Sequence, residues 1–319
     1  MIHPYWNVNF FEFFVVLVQR IALFVAGQLP LSALAPDEVQ IGVLALTSIA
    51  AALVGSLLYL RKMIMLANAL SHTILLGLVS AFLLCVAFSN RAELTLHDMN
   101  IKMLLIGALI TALLTAFCTQ WLTKVMNLYA DASIGLVFTV FFALGVTLVT
   151  LLTKNTHLGV EAIMGNVDAL HVHDLKLISL ICLIDVMAIL LFFKEWHLTT
   201  FDGGLAKALG FQPTVMGYGL MVLTALTSIG AFRAVGVFLV LGLMIFPPLI
   251  ARQFTCRLKK LMLLAIGIGF VESVLAVAAS RALLSTWDMP ISTSGLLITF
   301  LGGSYLLVNT FVSRRFIWA

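Results

Sequence analysis

Four ionisable side chains interrupt long apolar runs of this sequence: Arg20, His72, Asp185 and Glu272. Such groups are costly inside a bilayer, so each is a candidate for ion or proton chemistry. Asn68 precedes His72 by four residues, which places both on one face of a helix. A carboxamide oxygen and a neutral imidazole on one face can ligate a divalent metal. The same pair can also be an interhelical hydrogen bond of the kind membrane bundles use as glue. Spacing alone leaves both readings open. A second copy of the helix, from a partner subunit, would complete a four-ligand site. Asp185 and Glu272 each stand alone in an apolar stretch. Each is expected to face the bundle interior, either bonded to a backbone or hydroxyl partner or protonated. Arg20 either snorkels or pairs with an acid.

The elements that carry these residues follow from composition. Of 319 residues, 62% are apolar and 10% are charged, against about half and a quarter in ordinary soluble domains. The mean hydropathy is +1.14. This excludes a soluble globular enzyme, a disordered chain, a nucleic-acid-binding domain and a disulfide scaffold. The fold class expected is all-α, a polytopic transmembrane helical bundle of about 8–10 spans. Apolar segments run near 10–33, 41–60, 64–88, 101–122, 132–153, 175–194, 214–231, 235–251, 261–284 and 291–312. The first carries Arg20 and is either a span or an interfacial helix, with no cleavable signal peptide evident. The seventh and eighth are parted only by Phe232, Arg233 and Ala234, as a tight hairpin or one broken helix. Cys85, Cys118, Cys182 and Cys256 form no CxxC pair and read as small buried hydrophobes.

Charge fixes the orientation. With the N-terminus in the cytoplasm and strict alternation, Arg61, Lys62, Lys124, Lys194, Lys207, Arg252, Arg257, Lys259, Lys260, Arg314 and Arg315 fall inside, against Arg91, Lys102, Lys154, Lys176, Arg233 and Arg281 outside. Asp37, Glu38, Glu93, Asp98, Glu161, Asp168, Asp174 and Asp288 fall outside, together with His97, His157, His171 and His173.

Two loops stand out. The outer loop 154–174 is too polar to cross lipid and reads as a short helix over the outer mouth. Its histidines and acids could attract a divalent cation, or merely solvate a cap. In the inner loop 195–213, Gly203 and Gly204 break one helix and Pro213 opens the next. Between them, Leu205, Ala208 and Leu209 share one side of a short helical stretch ending at Gly210, suited to a partner's groove. A plain connection is the alternative. No GxxxxGK[ST], HExxH or GxSxG occurs, so any ATP is bound by another subunit.

The stretch Leu60–Gly77, LRKMIMLANALSHTILLG, resembles the permease subunits of manganese, zinc and iron ABC importers, with their LRRM-like step and GDALSH-like residues. Asp131–Phe138, Phe142–Val146, Met164–Val167, Arg233–Val237 and Phe246–Ala251 follow in the family's order. Phe201–Gly210, FDGGLAKALG, resembles its FDxxxAxALG coupling segment. Residues 1–40 are not covered and form an N-terminal segment with an extra apolar helix; 41–319 are expected to be a single transmembrane permease domain. The resemblance implies a multi-pass protein of the bacterial inner membrane, not an enzyme, that moves Mn, Zn or Fe by alternating access. No tightly bound cofactor is implied. The implied partners are a cytoplasmic ATP-binding subunit, a second permease subunit of the same or a related chain, an extracytoplasmic metal-binding protein and membrane lipid, with no nucleic acid. His72 and Asn68 would line the metal path. Phe201, Asp202, Leu205, Ala206, Ala208, Leu209 and Gly210 would couple to the ATPase. The family's Asp is Asn68 here and its Gly is Ala67, which removes a negative charge from the path. The alternatives are an ABC permease for a chelate such as haem or a siderophore, and a proton-coupled carrier using Asp185 or Glu272. An intramembrane metalloenzyme would need three convergent ligands, and only one histidine lies within a span.

Overall fold

The computed structural model describes residues 4–5, 9–28, 30, 34–89, 101–153 and 167–316. Among them, all regular structure is helical: α1 Phe10–Val25, α2 Pro36–Leu60, α3 Ile64–Ser89, α4 Ile101–Val125, α5 Ala130–Thr153, α6 Val172–Leu191, α7 Phe193–Phe201, α8 Gly203–Ala208, α9 Pro213–Val235, α10 Val237–Phe254, α11 Leu258–Trp287 and α12 Thr293–Phe316. Eight of these are long and apolar enough to cross a membrane. The helices α6 and α7, bent by 69° at Phe192, make a ninth span if taken together. The all-α membrane bundle expected from composition is therefore the fold.

The first apolar segment is shorter than its expected bounds of 10–33. Helix α1 has 16 residues and ends where Gly27 turns to φ +73°. That length rises about 24 Å, less than the ~30 Å of a hydrocarbon core. The seventh and eighth segments become separate helices, parted by Gly236 at φ +91°, a backbone state that favours glycine.

The chain divides into two compact units. One holds residues 1–56, 166–187 and 234–319. Its core includes Ala52, Ala251, Leu261 and Ala265 from α2, α10 and α11. At one end, an Arg281–Asp37 ion pair joins α11 to the first turn of α2. Beside it, the Asp168 carboxylate accepts hydrogen bonds from Gln40 (3.0 Å) and Thr293 (2.6 Å). Helix α1 is tied to the same end. Its Arg20 pairs with Glu38, and the Tyr5 hydroxyl donates to Glu38 at 3.0 Å. Burial, and then the Glu38 charge, push the Tyr5 phenol above its ordinary pKa.

The other unit holds residues 57–165 and 188–233. Helices α3, α4 and α5 pack on one another there. The α3–α4 crossing depends on two glycines: a Cβ at Gly77 would lie 2.7 Å from the Gly107 carbonyl oxygen, and one at Gly107 2.7 Å from the Gly77 carbonyl oxygen. Small residues let membrane helices approach until their backbones touch. The polar stripe of α4 satisfies itself, with Thr111, Thr115, Thr119 and Thr123 each donating to the carbonyl four residues back.

Candidate metal path and coupling surface

His72 and Asn68 lie one turn apart on α3, both half-buried. The sequence builds this helix abruptly. Helix α2 closes at Leu60, Lys62 takes φ +57°, and α3 begins at Ile64. Between His72 and the protein on one side stand two rings of α5. The Phe138 centroid is 5.4 Å from the imidazole centroid, and the Phe142 centroid is 5.5 Å away, edge-on. The two phenyl rings stack on each other at 5.8 Å. Aromatic neighbours at these separations restrict how the imidazole turns. The residues carrying them, Asp131–Phe138 and Phe142–Val146, are two of the segments singled out in the sequence.

Among the described residues, no three of His, Cys, Asp and Glu converge on one point. The intramembrane metalloenzyme reading therefore finds no ligand set there. His72 and Asn68 place two potential donors on one helix.

Residues 193–211 form a defined platform. Helix α7 is fixed on one side by Trp196, buried, whose indole N–H donates to the Met216 carbonyl of α9 at 3.1 Å. On another side the Arg61 guanidinium donates to Thr199 Oγ1 (2.6 Å) and Thr200 Oγ1 (3.0 Å). Burial pulls the pKa of Arg61 below its ordinary value. Asp202 ends α7 and caps α8, its carboxylate accepting from Leu205 N–H at 2.9 Å. Gly210 closes α8 at φ +86°, and Phe211 N–H returns to the Ala206 carbonyl. Side chains then divide by face. Phe201, Leu205 and Leu209 are 56%, 48% and 57% exposed, with Ala208 also exposed beside them. Ala206 is fully buried. It points into the protein and helps seat α8, so its side chain forms no part of the exposed surface assigned to the coupling segment.

Several other singled-out residues have structural partners. Arg20 is paired with Glu38, Asp168 is held as described above, and Asp174 accepts from His171 N–H at the start of α6. Asp185 and Glu272 are both buried, as expected, and Glu272 Oε2 lacks a hydrogen-bond partner among the described residues. Cys182 is buried, but Cys118 is only partly so and Cys256 is exposed. The 154–166 part of the outer loop, with His157 and Glu161, lies outside the described residues, as do Glu93, His97 and Asp98.

Sequence reasoning missed two kinds of residue. Phe138 and Phe142 entered only as members of family-like segments and were not linked to His72, although their spacing of four puts them on one face of α5. Trp196 was passed over as loop. A tryptophan two residues after the apolar run 175–194, ahead of the Asp202–Gly203 break, was the available signal for an anchored helix.

Residues 39–312 match the family described as the ABC 3 transport family. The chain is 34% identical over 306 residues to a probable metal transport system membrane protein of Chlamydia pneumoniae, covering 96% of this chain and 91% of that protein. It is 32% identical over 273 residues to the manganese transport system membrane protein MntD of Bacillus subtilis, covering 82% and 86%. Among solved structures it resembles PsaBC from Streptococcus pneumoniae in complex with Fab, with a TM-score of 0.70 and 25% identity over 91% of this chain and 95% of that one.

Proposed function

Because the chain belongs to the ABC 3 transport family, we propose that it is the permease of a bacterial inner-membrane importer for a divalent metal ion such as manganese. ATP would be hydrolysed by a separate cytoplasmic subunit. The observation that carries this reading is an exposed apolar trio at an anchored corner: Phe201 ends α7, Leu205 lies on α8 and Leu209 is the C-cap of α8. Exposed apolar side chains grouped on a fixed support suit a groove in a partner protein. The chain itself has no phosphate-binding loop. Residues 41–319 would act as one permease domain.

His72 supplies a neutral imidazole to the passing ion, and Asn68 an oxygen one turn earlier. Two neutral donors leave a divalent charge uncompensated. A second permease subunit, the same chain or a related one, would bring the missing donors and negative charge. An extracytoplasmic metal-binding protein would deliver the ion. ATP binding and hydrolysis would bias the permease between two packings that open to opposite sides. The aromatic pair beside His72 and the named metal transporters among its relatives support a bare ion over a bulky chelate, which needs a wide path.

Co-purification tests this. The ATPase encoded with the permease should remain bound to the wild-type protein in detergent and be lost from Leu205→Asp and Leu209→Asp, whose melting stays unchanged. Retention of the ATPase by both variants would overturn the docking surface.

A further inference from the structure

Arg61 occupies the three-residue turn between α2 and α3, three residues before the helix that carries Asn68 and His72. We propose that Arg61 is a positioning residue that transmits movement of the α7–α8 platform to α3, and thereby to the metal path; this rests on the docking role given to α8 above.

Three observations build the link. First, the turn is rigid at its base. Arg61, Lys62 and Met63 N–H groups bond back to the Leu57, Tyr59 and Leu58 carbonyls, and Leu66 N–H bonds to Met63. A displacement of Arg61 therefore moves the first turn of α3. Second, the guanidinium grips two successive hydroxyls, Thr199 and Thr200, at the end of α7. Thr199 is itself fixed, donating to the Glu195 carbonyl at 2.8 Å. The next residue is Phe201, part of the exposed trio, and Asp202 then caps α8. Third, the guanidinium is boxed against α9: a Cβ at Gly217 would lie 3.7 Å from Nη1. An arginine fork held by two acceptors has a fixed direction. It can push and pull where a flexible lysine cannot.

From Arg61 to the path the carrier is one helix. Asn68 lies seven residues on, a rise of about 10 Å along α3. The α3–α4 glycine contact lies beyond His72, so the early turns of α3 are not fixed by that crossing. Coupling through a rigid element needs such an element to have two arrangements. Here the element is α3, and Arg61 is its handle.

The test uses the full complex of permease and ATPase in liposomes, with manganese ions as the probe. The readout is the number of ions moved per ATP hydrolysed. For Arg61→Gln that ratio should fall about tenfold, with ATPase binding and hydrolysis kept. Thr199→Val with Thr200→Val should give the same loss by removing the acceptors. The triple variant should be no worse than either alone, since both ends of one link have been cut. Arg61→Lys should restore little. An unchanged ratio in Arg61→Gln overturns the proposal. So does a loss of uptake that tracks lost ATPase binding or a lowered melting temperature, which would make Arg61 a structural clamp. Failure of the wild-type complex to couple hydrolysis to uptake at all would strike the docking reading, and this proposal with it.

Discussion

The Phe138 ring on α5 lies 5.4 Å from the His72 imidazole on α3, centre to centre. The contact makes α5 a support for the one histidine within the eight single-helix candidate spans. An aromatic pair of this kind contributes about 1 kcal/mol beyond simple burial. Replacing Phe138 with Leu keeps most of the volume and removes the ring. Manganese affinity of the purified complex, read by equilibrium dialysis, should weaken about fivefold with assembly intact. Unchanged affinity would show that the ring only fills space.

Asn68→Asp adds the carboxylate of the GDALSH-like pattern that this stretch resembles. If Asn68 and His72 face a divalent ion, the added charge should tighten equilibrium binding and slow ion release. Calorimetric titration with manganese gives the first quantity, and stopped-flow chelator chase the second. If the pair instead serves as neutral interhelical glue, the variant buries an unpaired charge. Its melting temperature should then fall and its affinity stay flat, which would count against the metal role.

Asp202 caps α8 through Leu205 N–H. Removing an N-cap costs about 1 kcal/mol. In a helix of six residues that is enough to fray the platform. Asp202→Ala should therefore lower affinity for the ATPase about fivefold, measured by surface binding of the purified ATPase. Asp202→Asn and Asp202→Ser, which still cap, should bind close to wild type. Equal weakening in all three would show that the charge, not the cap, matters.

Helix α1 is too short to cross the bilayer, and its Arg20 meets Glu38 in the first turn of α2. Both its ends should lie on the outer side, in contrast to the cytoplasmic N-terminus expected from strict alternation of ten spans. In a cysteine-free background, Asn9→Cys and Gln28→Cys should both react with an impermeant maleimide in intact spheroplasts. Labelling of Asn9→Cys only after permeabilisation would make α1 a span.

Much of this was legible in the sequence because the bilayer enforces it. A spanning helix must be long and apolar, so composition and runs of residues were enough for the bundle. The short α8 was legible from Gly203, Gly204 and Gly210, whose backbone roles are local. The direction of single side chains was not. Ala206 reads like Ala208 in a linear string, yet one is buried and the other exposed, because only the seat beneath α8 distinguishes them. Arg20 and Arg61 were visible as charges, but their partners, Glu38 and the Thr199–Thr200 pair, lie 18 and 138–139 residues away. No local rule selects such partners. The α1 boundary slipped because the apolar run to 33 outlasts the helix that Gly27 ends.

The central claim is that this chain carries a metal ion through the His72 helix at the expense of ATP. Uptake of radioactive manganese by proteoliposomes holding the permease, its ATPase and its binding protein tests it most directly, with wild type and His72→Ala side by side. Wild type should accumulate the ion only when ATP is on the ATPase side. His72→Ala should assemble, bind the ATPase and hydrolyse ATP, yet accumulate none. Accumulation by His72→Ala at the wild-type rate, or by wild type without ATP, would contradict the account.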